Sequence, residues 1–451
     1  MKRFDLIVIG TGSSGTAAAS RCARAGWKVA IADALPYGGT CELRGCDPKK
    51  VLVGAAELVD WSSRMSGSGI AGETRIDWPA LMRFKRSFTE PVPPAREASL
   101  RELGVTTYHG AARFTGRSTM TVADEPLQAN HVVLAAGARP ASLQLAGEEH
   151  LITSTDFLDL ERLPPRVAFI GGGYIAFEFA HLSARAGATP VILQRGPRVL
   201  TGFEPKLVDE LVEVSKSIGI DVRVNTAVSA IEKRENGFIV RGAIGAEEIA
   251  IECDLAVHAA GRVADLDELD LEAGGVERTR KGVGVNEFLQ SRSNPAVYAV
   301  GDCADAGGLP LTPTAALEGD VAARNLLEGN RHTLDFSGLA SIVYTIPSLG
   351  MTGLTEEQAR DRGFEFTVHE ADTTLWYSSR RVRARRSAYR IVADKRTGRI
   401  LGAHVLGPHT EELVNVLSLA VRAEIPAQRL AEVLFGYPTA SSDISNFLAP
   451  A

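Results

Sequence analysis

Phe4-Asp5-Leu6-Ile7-Val8-Ile9-Gly10-Thr11-Gly12-Ser13-Ser14-Gly15, followed by the alanine-rich run 16–25 and by Lys28-Val29-Ala30-Ile31-Ala32-Asp33, decides the fold. Residues 4–9 read as a buried strand, the glycine run as a tight turn, 16–25 as a helix and 28–32 as the next strand. The glycines follow the G-x-G-x-x-G pattern of a nucleotide-binding strand–turn–helix. Asp33 ends the second strand, 23 residues after Gly10. From there an acid can accept a ribose hydroxyl while the helix N-terminus faces a pyrophosphate.

The same grammar returns at 166–195. Strand Val167-Ala168-Phe169-Ile170 leads to Gly171-Gly172-Gly173-Tyr174-Ile175-Ala176, an apolar helix, and strand Pro190-Val191-Ile192-Leu193-Gln194. The second strand ends in Gln194-Arg195, with Arg198 nearby, where an NAD site carries an acid. Arginines there suit a 2′-phosphate and favour NADP over NAD; the alternative is a pair of solvated surface arginines. Two βαβ nucleotide folds in one chain imply a duplicated α/β module rather than a short-period repeat.

Outward from these two loops, residues 51–103 look helical, with an interruption at Pro91, Pro93 and Pro94, and 105–136 alternate like short strands. Ala296-Val297-Tyr298-Ala299-Val300 is a further strand, and a linker lies near 330–337. The last block carries three strand-like runs at 364–372, 387–394 and 399–407, then helical stretches at 411–423 and 427–434. The expected divisions are 1–150, 151–262, 263–335 and 336–451.

The 451 residues make about three domains at ~150 residues each. A net charge of −6 gives no general attraction to nucleic acid or anionic lipid. Eighteen consecutive apolar residues do not occur, so no membrane span is expected. The apolar stretch Leu6–Ile9 is too short for a signal peptide and reads as a strand, which makes targeting improbable. Five cysteines are too few for a disulfide scaffold, and a reducing cytoplasm is the expected home. In that setting a closely spaced pair is a redox or metal candidate.

Such a pair stands in Gly38-Gly39-Thr40-Cys41-Glu42-Leu43-Arg44-Gly45-Cys46-Asp47-Pro48-Lys49-Lys50. Its four-residue gap can close a small redox ring. A zinc site needs two more ligands and no second Cys/His pair occurs, so no metal is expected. Cys22, Cys253 and Cys303 are isolated in apolar surroundings and read as core. His404 and His409 read as structural or exposed. Five arginines within 380–386 suit an anionic partner, or more simply a solvated edge strand or an intersubunit salt-bridge site.

Together, GGTCxxxxGCxPKK and the N-terminal G-x-G-x-x-G resemble the flavin-dependent pyridine nucleotide–disulfide oxidoreductases, the family of glutathione reductase, dihydrolipoamide dehydrogenase and mercuric reductase. The resemblance spans the chain. It includes HVVLAAGARP at 131–140, HAAGR at 258–262, AVYAVGDC at 296–303, LTPTAALEG at 311–319 and YTIPSLGMTGLTEEQA at 344–359. It implies an FAD domain interrupted by an NADPH domain, then a C-terminal α+β dimerisation domain in a homodimer. The implied FAD contacts are Gly10, Gly12, Gly15, Asp33, Gly39, Thr40, Lys49, Ala112, Gly137, Gly261, Asp302, Thr312 and Ala315. NADPH falls to Gly171, Gly173, Tyr174, Ile175, Glu178, Arg195 and Arg198. Cys41 is the implied interchange thiol and Cys46 the thiol facing the flavin. Lys49 pairs with Glu178 beside the ring, and Tyr174 covers it until nicotinamide displaces it. Hydride then runs from NADPH through FAD to the Cys41–Cys46 disulfide, and on to a disulfide, metal ion or quinone-like acceptor.

One motif departs. The family's disulfide reductases end in HPTxxE, whose His is the acid/base for the thiols; this chain reads Tyr437-Pro438-Thr439-Ala440-Ser441-Ser442-Asp443. Tyrosine titrates near ~10 and exchanges protons poorly at neutral pH. Alternatives are a thioether-cleaving reductase/carboxylase of the 2-ketopropyl-coenzyme M type, which also lacks that His, and a redox-sensing flavoprotein.

Overall fold

A computed structural model describes residues 1–448, which form two compact units. The first is assembled from Met1–Lys49, Arg83–Ala141 and Gly261–Phe336. Strand Lys2–Ile9 lies at the centre of its sheet, parallel to Val29–Asp33 on one side and to Glu125–Leu134 on the other. Thr106–His109 extends one edge in parallel. Val297–Ala299 adds to Glu125–Leu134, pairing Val297 with Val132 and Ala299 with Leu134. Leu6, Ile7, Val8, Ala30 and Ile31 have no exposed surface. The apolar run is continuous because a parallel sheet is covered on both faces.

Helix Ser13–Arg24 packs against helix Thr312–Glu328. The approach is so close that a Cβ on Gly319 would come within 2.2 Å of the Ser14 carbonyl oxygen. The turns read at 131–140 and 258–262 meet as an antiparallel ribbon, Ala138–Pro140 against Arg262–Ala264.

The second unit comprises Lys50–Met82, Ser142–Ala260 and the chain from Ser337 onward. Its nucleotide-type sheet is parallel, in the order Asp221–Arg223, Thr189–Leu193, Arg166–Ile170, Leu255–His258. A three-stranded antiparallel meander covers 226–253. The C-terminal sheet runs Ala340–Val343, Ser348–Gly353, Ile400–Gly407, Ala388–Asp394, Phe366–Asp372, with helix Thr410–Arg422 against it. One core joins Phe157, Phe169, Phe177 and Leu207 to Val343, Leu349 and Leu406, so the nucleotide fold and the C-terminal sheet form a single body.

Two details differ from the sequence reading. Boundaries expected at 150 and 262 fall at 141 and 260, and residues 50–82 go with the second unit. The reason is packing: Leu52, Ala56, Trp78 and Met82 are buried in the core that holds Phe157 and Phe177. Residues 65–77 carry no helix within the stretch read as helical, whereas the interruption expected at the prolines is present, between helices Trp78–Thr89 and Val92–Glu102, with Pro91 at the N-cap of the second. Proline is tolerated there because first-turn N–H groups have no partner inside the helix.

Candidate active site

Each residue of the first glycine loop has a distinct geometric duty. Gly10 has φ +106°, and a Cβ there would meet the Ala135 carbonyl oxygen at 2.2 Å. A Cβ on Gly15 would strike Gly10 O at 2.0 Å, so the helix starts hard against the strand end. Gly12 instead faces open space, with nothing nearer than Gly39 Cα at 3.8 Å. Turn, packing and open approach are the three duties of a dinucleotide loop. Asp33 Oδ2 accepts hydrogen bonds from Thr11 N and Thr11 Oγ1 at 2.8 and 2.7 Å, and Oδ1 accepts one from Leu35 N. The acid thus holds the loop in shape and keeps acceptor capacity on Oδ1.

Facing this loop, Gly301 donates to the buried Glu318 at 2.6 Å, and burial pushes the Glu318 carboxyl up to about 7. Burial also raises Asp302, only partly offset by the Arg262 guanidinium. Ala112 is buried in strand Ala112–Gly116, and Gly137 and Gly261 both take positive φ with no atom within 4 Å of a Cβ. These features fit a dinucleotide cradle with room along one backbone edge.

The sequence places the thiols at two helix starts. Cys41 lies in the short helix Gly39–Arg44, and Cys46 opens the 19-residue helix Cys46–Arg64. Both are free cysteines. Thr312 Oγ1 donates to Cys41 Sγ at 3.1 Å and lies 3.4 Å from Cys46 Sγ. A hydrogen bond from Cys41 lowers Cys46 to about 6, against the cost of burial and with help from Thr312 and the Lys49 charge. The same bond and burial push Cys41 far up. One proton is therefore held on Cys41 and the negative charge on Cys46. Replacing Thr312 with valine is expected to move the thiolate titration to higher pH, read from the pH dependence of iodoacetamide alkylation.

The second loop repeats the first with one change of charge. Gly171 has φ +117° and sits 2.2 Å, Cβ to oxygen, from Ala259 O; Gly173 has nothing within 4 Å. Gln194 stands 23 residues after Gly171, as Asp33 does after Gly10. Its Oε1 accepts from Gly172 N at 2.9 Å, the counterpart of the Asp33–Thr11 bond. An amide thus does the structural work of the acid without its charge. Arg195 and Arg198 are exposed beside it, and Arg198 lines a cavity of about 260 Å³ with Gln194, Thr201, Thr355 and Gln358. The sequence reading missed Gln194, although its offset is the same.

Helix Tyr174–Arg185 follows this loop. Tyr174 is partly exposed, its ring edge-on to Phe203, while Ile175 packs against the core and Glu178 is buried. In the C-terminal block, Tyr437 is 79% exposed and lies 6.4 Å, centroid to centroid, from Tyr377. Thr439 and Ser442 cap each other's backbone across the turn Ala440–Asp443, and Asp443 is hydrogen-bonded to Ser378.

Most of the Arg380–Arg386 run is engaged: Arg386 pairs with Glu210 and Asp372, Arg383 donates to Ser68, and Arg385 lies 3.7 Å from Asp60. His404 is fully buried with Nε2 on Leu354 O, and His409 stands at the N-cap position of helix Thr410–Arg422 with no side-chain capping bond. Among the described residues, no group of three or more His, Cys, Asp or Glu is placed to hold a metal ion, and no helix is long and apolar enough to cross a membrane.

Residues 4–319 match the pyridine nucleotide-disulphide oxidoreductase family and residues 339–447 its dimerisation domain. The chain is 32% identical over 442 residues to a glutathione reductase of Burkholderia cepacia, covering 98% of this chain and 97% of the relative. It is 29% identical to a mercuric reductase of Lysinibacillus sphaericus, over 97% of this chain and 80% of that protein. The HOCl-induced flavoprotein disulfide reductase RclA from Escherichia coli superposes with a TM-score of 0.88 at 25% identity, covering 98% of this chain and 99% of that one. A Cu(II) complex of the same reductase gives 0.89 over 99% of each chain.

Proposed function

Because the chain belongs to the pyridine nucleotide-disulphide oxidoreductases, we propose that it is a homodimeric NADPH-dependent flavoenzyme passing electrons through Cys41 and Cys46 to a disulfide, metal-ion or quinone-like acceptor. Members of the family work with FAD and NAD(P)H. The observation that carries the reading is the thiol pair, with one thiol lowered to about 6 and the other raised, beside an open dinucleotide cradle.

Bound FAD supplies two-electron chemistry between the nicotinamide and the disulfide. The protein's own groups then divide the work. Gly12 leaves the backbone open to the pyrophosphate while Gly10, Gly15 and Gly39 let the loop close up around it, with Thr40 beside them and Asp33 and Asp302 as hydroxyl acceptors. Ala112 serves the adenosine end, and Gly137, Gly261, Thr312 and Ala315 complete the flavin side. Opening the Cys41–Cys46 disulfide takes up two electrons and one proton, and yields a Cys41 thiol and a Cys46 thiolate. Lys49 stabilises that thiolate electrostatically.

Gln194, Arg195 and Arg198 support NADPH as the donor, since an uncharged amide and two cations favour a 2′-phosphate. Arg195→Glu should lower the NADPH/NADH ratio of kcat/KM about ten- to hundredfold. An unchanged ratio would make it a surface charge only.

The relatives support a disulfide or metal-ion acceptor, being named for glutathione, mercuric or disulfide reduction, one of them in complex with Cu(II). They favour transfer to an acceptor over thioether cleavage or sensing alone. The test is NADPH oxidation by the holoenzyme against oxidised glutathione, lipoamide, Hg(II), Cu(II) and a benzoquinone. Turnover of at least one supports the proposal; reduction of the flavin with no turnover of any of them sinks it.

A further inference from the structure

Four side chains of helix Tyr174–Arg185 fall at i, i+4, i+7 and i+11, which is one helix face. Each is bonded to the segment 341–346. Tyr174 Oη lies 2.5 Å from Ser341 Oγ, and Glu178 Oε1 accepts from Tyr344 N at 2.9 Å. His181 Nδ1 accepts from Ile346 N at 3.1 Å, and Arg185 donates to Ile346 O at 2.9 Å. His181 is held neutral by burial, and with Nδ1 accepting, its Nε2 carries the proton towards Ser215 Oγ at 2.9 Å.

The rungs are not equivalent. Glu178 and His181 are buried, and the Arg185 side chain is 6% exposed and paired with Asp60 at 2.8 Å. Breaking any of these would strand a buried polar or charged group. Tyr174 is 37% exposed, with its tip bonded to Ser341 and its ring edge-on to Phe203 at 5.4 Å. The ladder is therefore fixed at one end and releasable at the end next to Gly173.

We infer that Ser341 is a positioning residue that latches the Tyr174 ring closed and so sets how readily NADPH engages the second glycine loop. This rests on the reading that Tyr174 is the ring the nicotinamide displaces. Ser341 is 2% exposed, so its hydroxyl loses its partner in a buried place whenever the ring swings out. That loss favours the closed ring, and the apparent affinity for NADPH is reduced by the fraction of time the ring is open. The three lower rungs hold the helix while the ring moves.

The holoenzyme is mixed rapidly with increasing NADPH and flavin reduction is followed. Ser341→Ala should lower the apparent Kd for NADPH about two- to tenfold, the change falling on Kd rather than on the limiting rate. Tyr174→Phe removes the same bond from the other side and should give the same shift, and the double variant should add nothing further. An unchanged Kd in Ser341→Ala, or additive shifts in the double variant, overturns the latch. Tyr174→Ala separates the two layers. If it alters neither Kd nor limiting rate, Tyr174 is not the displaced ring; if it alters them while Ser341→Ala does nothing, only the latch fails.

Discussion

Cys46→Ser holoenzyme, reduced by two electrons, should show no long-wavelength thiolate–flavin band, and NADPH-driven disulfide turnover should fall at least ~10³-fold. Cys41→Ser should keep or strengthen the band while losing turnover as well. The asymmetry follows from where the charge resides. Cys46 starts a long helix, whose N-terminal N–H groups favour an anion, and receives the Cys41 hydrogen bond and the Lys49 field. Its thiolate is present above about pH 6 and is protonated as pH falls through that value. In wild-type enzyme the band should thus reach half height near pH 6 and fall to about a tenth near pH 5, one unit lower. A band that survives in Cys46→Ser and disappears in Cys41→Ser would exchange the two assignments.

The second large effect concerns Tyr437. Cys41 is the thiol pushed up, so it holds its proton at neutral pH and must give it up before it can attack a substrate disulfide. A neighbouring imidazole is suited to take that proton; a tyrosine is not. Loss of such a group costs about 10²–10⁴-fold. Oxidised glutathione and lipoamide should therefore turn over poorly although NADPH reduces the flavin normally, and metal or quinone acceptors should do better.

Asp443 is hydrogen-bonded to Ser378, with its carboxyl raised by burial. Tyr437→His with Ser442→Glu should raise disulfide reduction. The local backbone admits the change: Thr439 and Ser442 already occupy the first and last positions of a capping box, in which glutamate is a favoured last residue. A wild-type kcat/KM for oxidised glutathione of order 10⁶ M⁻¹s⁻¹ would show that another group carries the proton.

Both nucleotide folds were legible because their signals are local. Gly10 and Gly171 are glycines since φ is positive and a strand-end carbonyl is close by, and the redox pair declares itself by spacing. Gln194 escaped because charge was sought at that position, whereas its amide bonds the loop. The proline cluster marked a real break, because Pro91 stands at the N-cap of Val92–Glu102 directly after helix Trp78–Thr89 has ended. Ser341 and Asp60 carry no motif of their own, and Tyr344 lies in one that says nothing of its partner. They matter through partners more than a hundred positions away, such as Tyr174, Glu178 and Arg185, and such meetings exist only once the chain has packed.

The pairing of Val297–Ala299 with Glu125–Leu134 has a consequence for biosynthesis. The sheet lacks a member until some 160 residues after Leu134 have been made, a delay of about 10–30 s at ~5–20 residues per second. During that interval Val132 and Leu134, both buried in the finished protein, have no neighbour on one side. Residues 142–260 emerge meanwhile and carry a parallel sheet whose strands are all already synthesised. The nascent chain thus presents an open, apolar sheet edge for many seconds, which is the window in which chaperone binding or premature association would decide the yield of native enzyme.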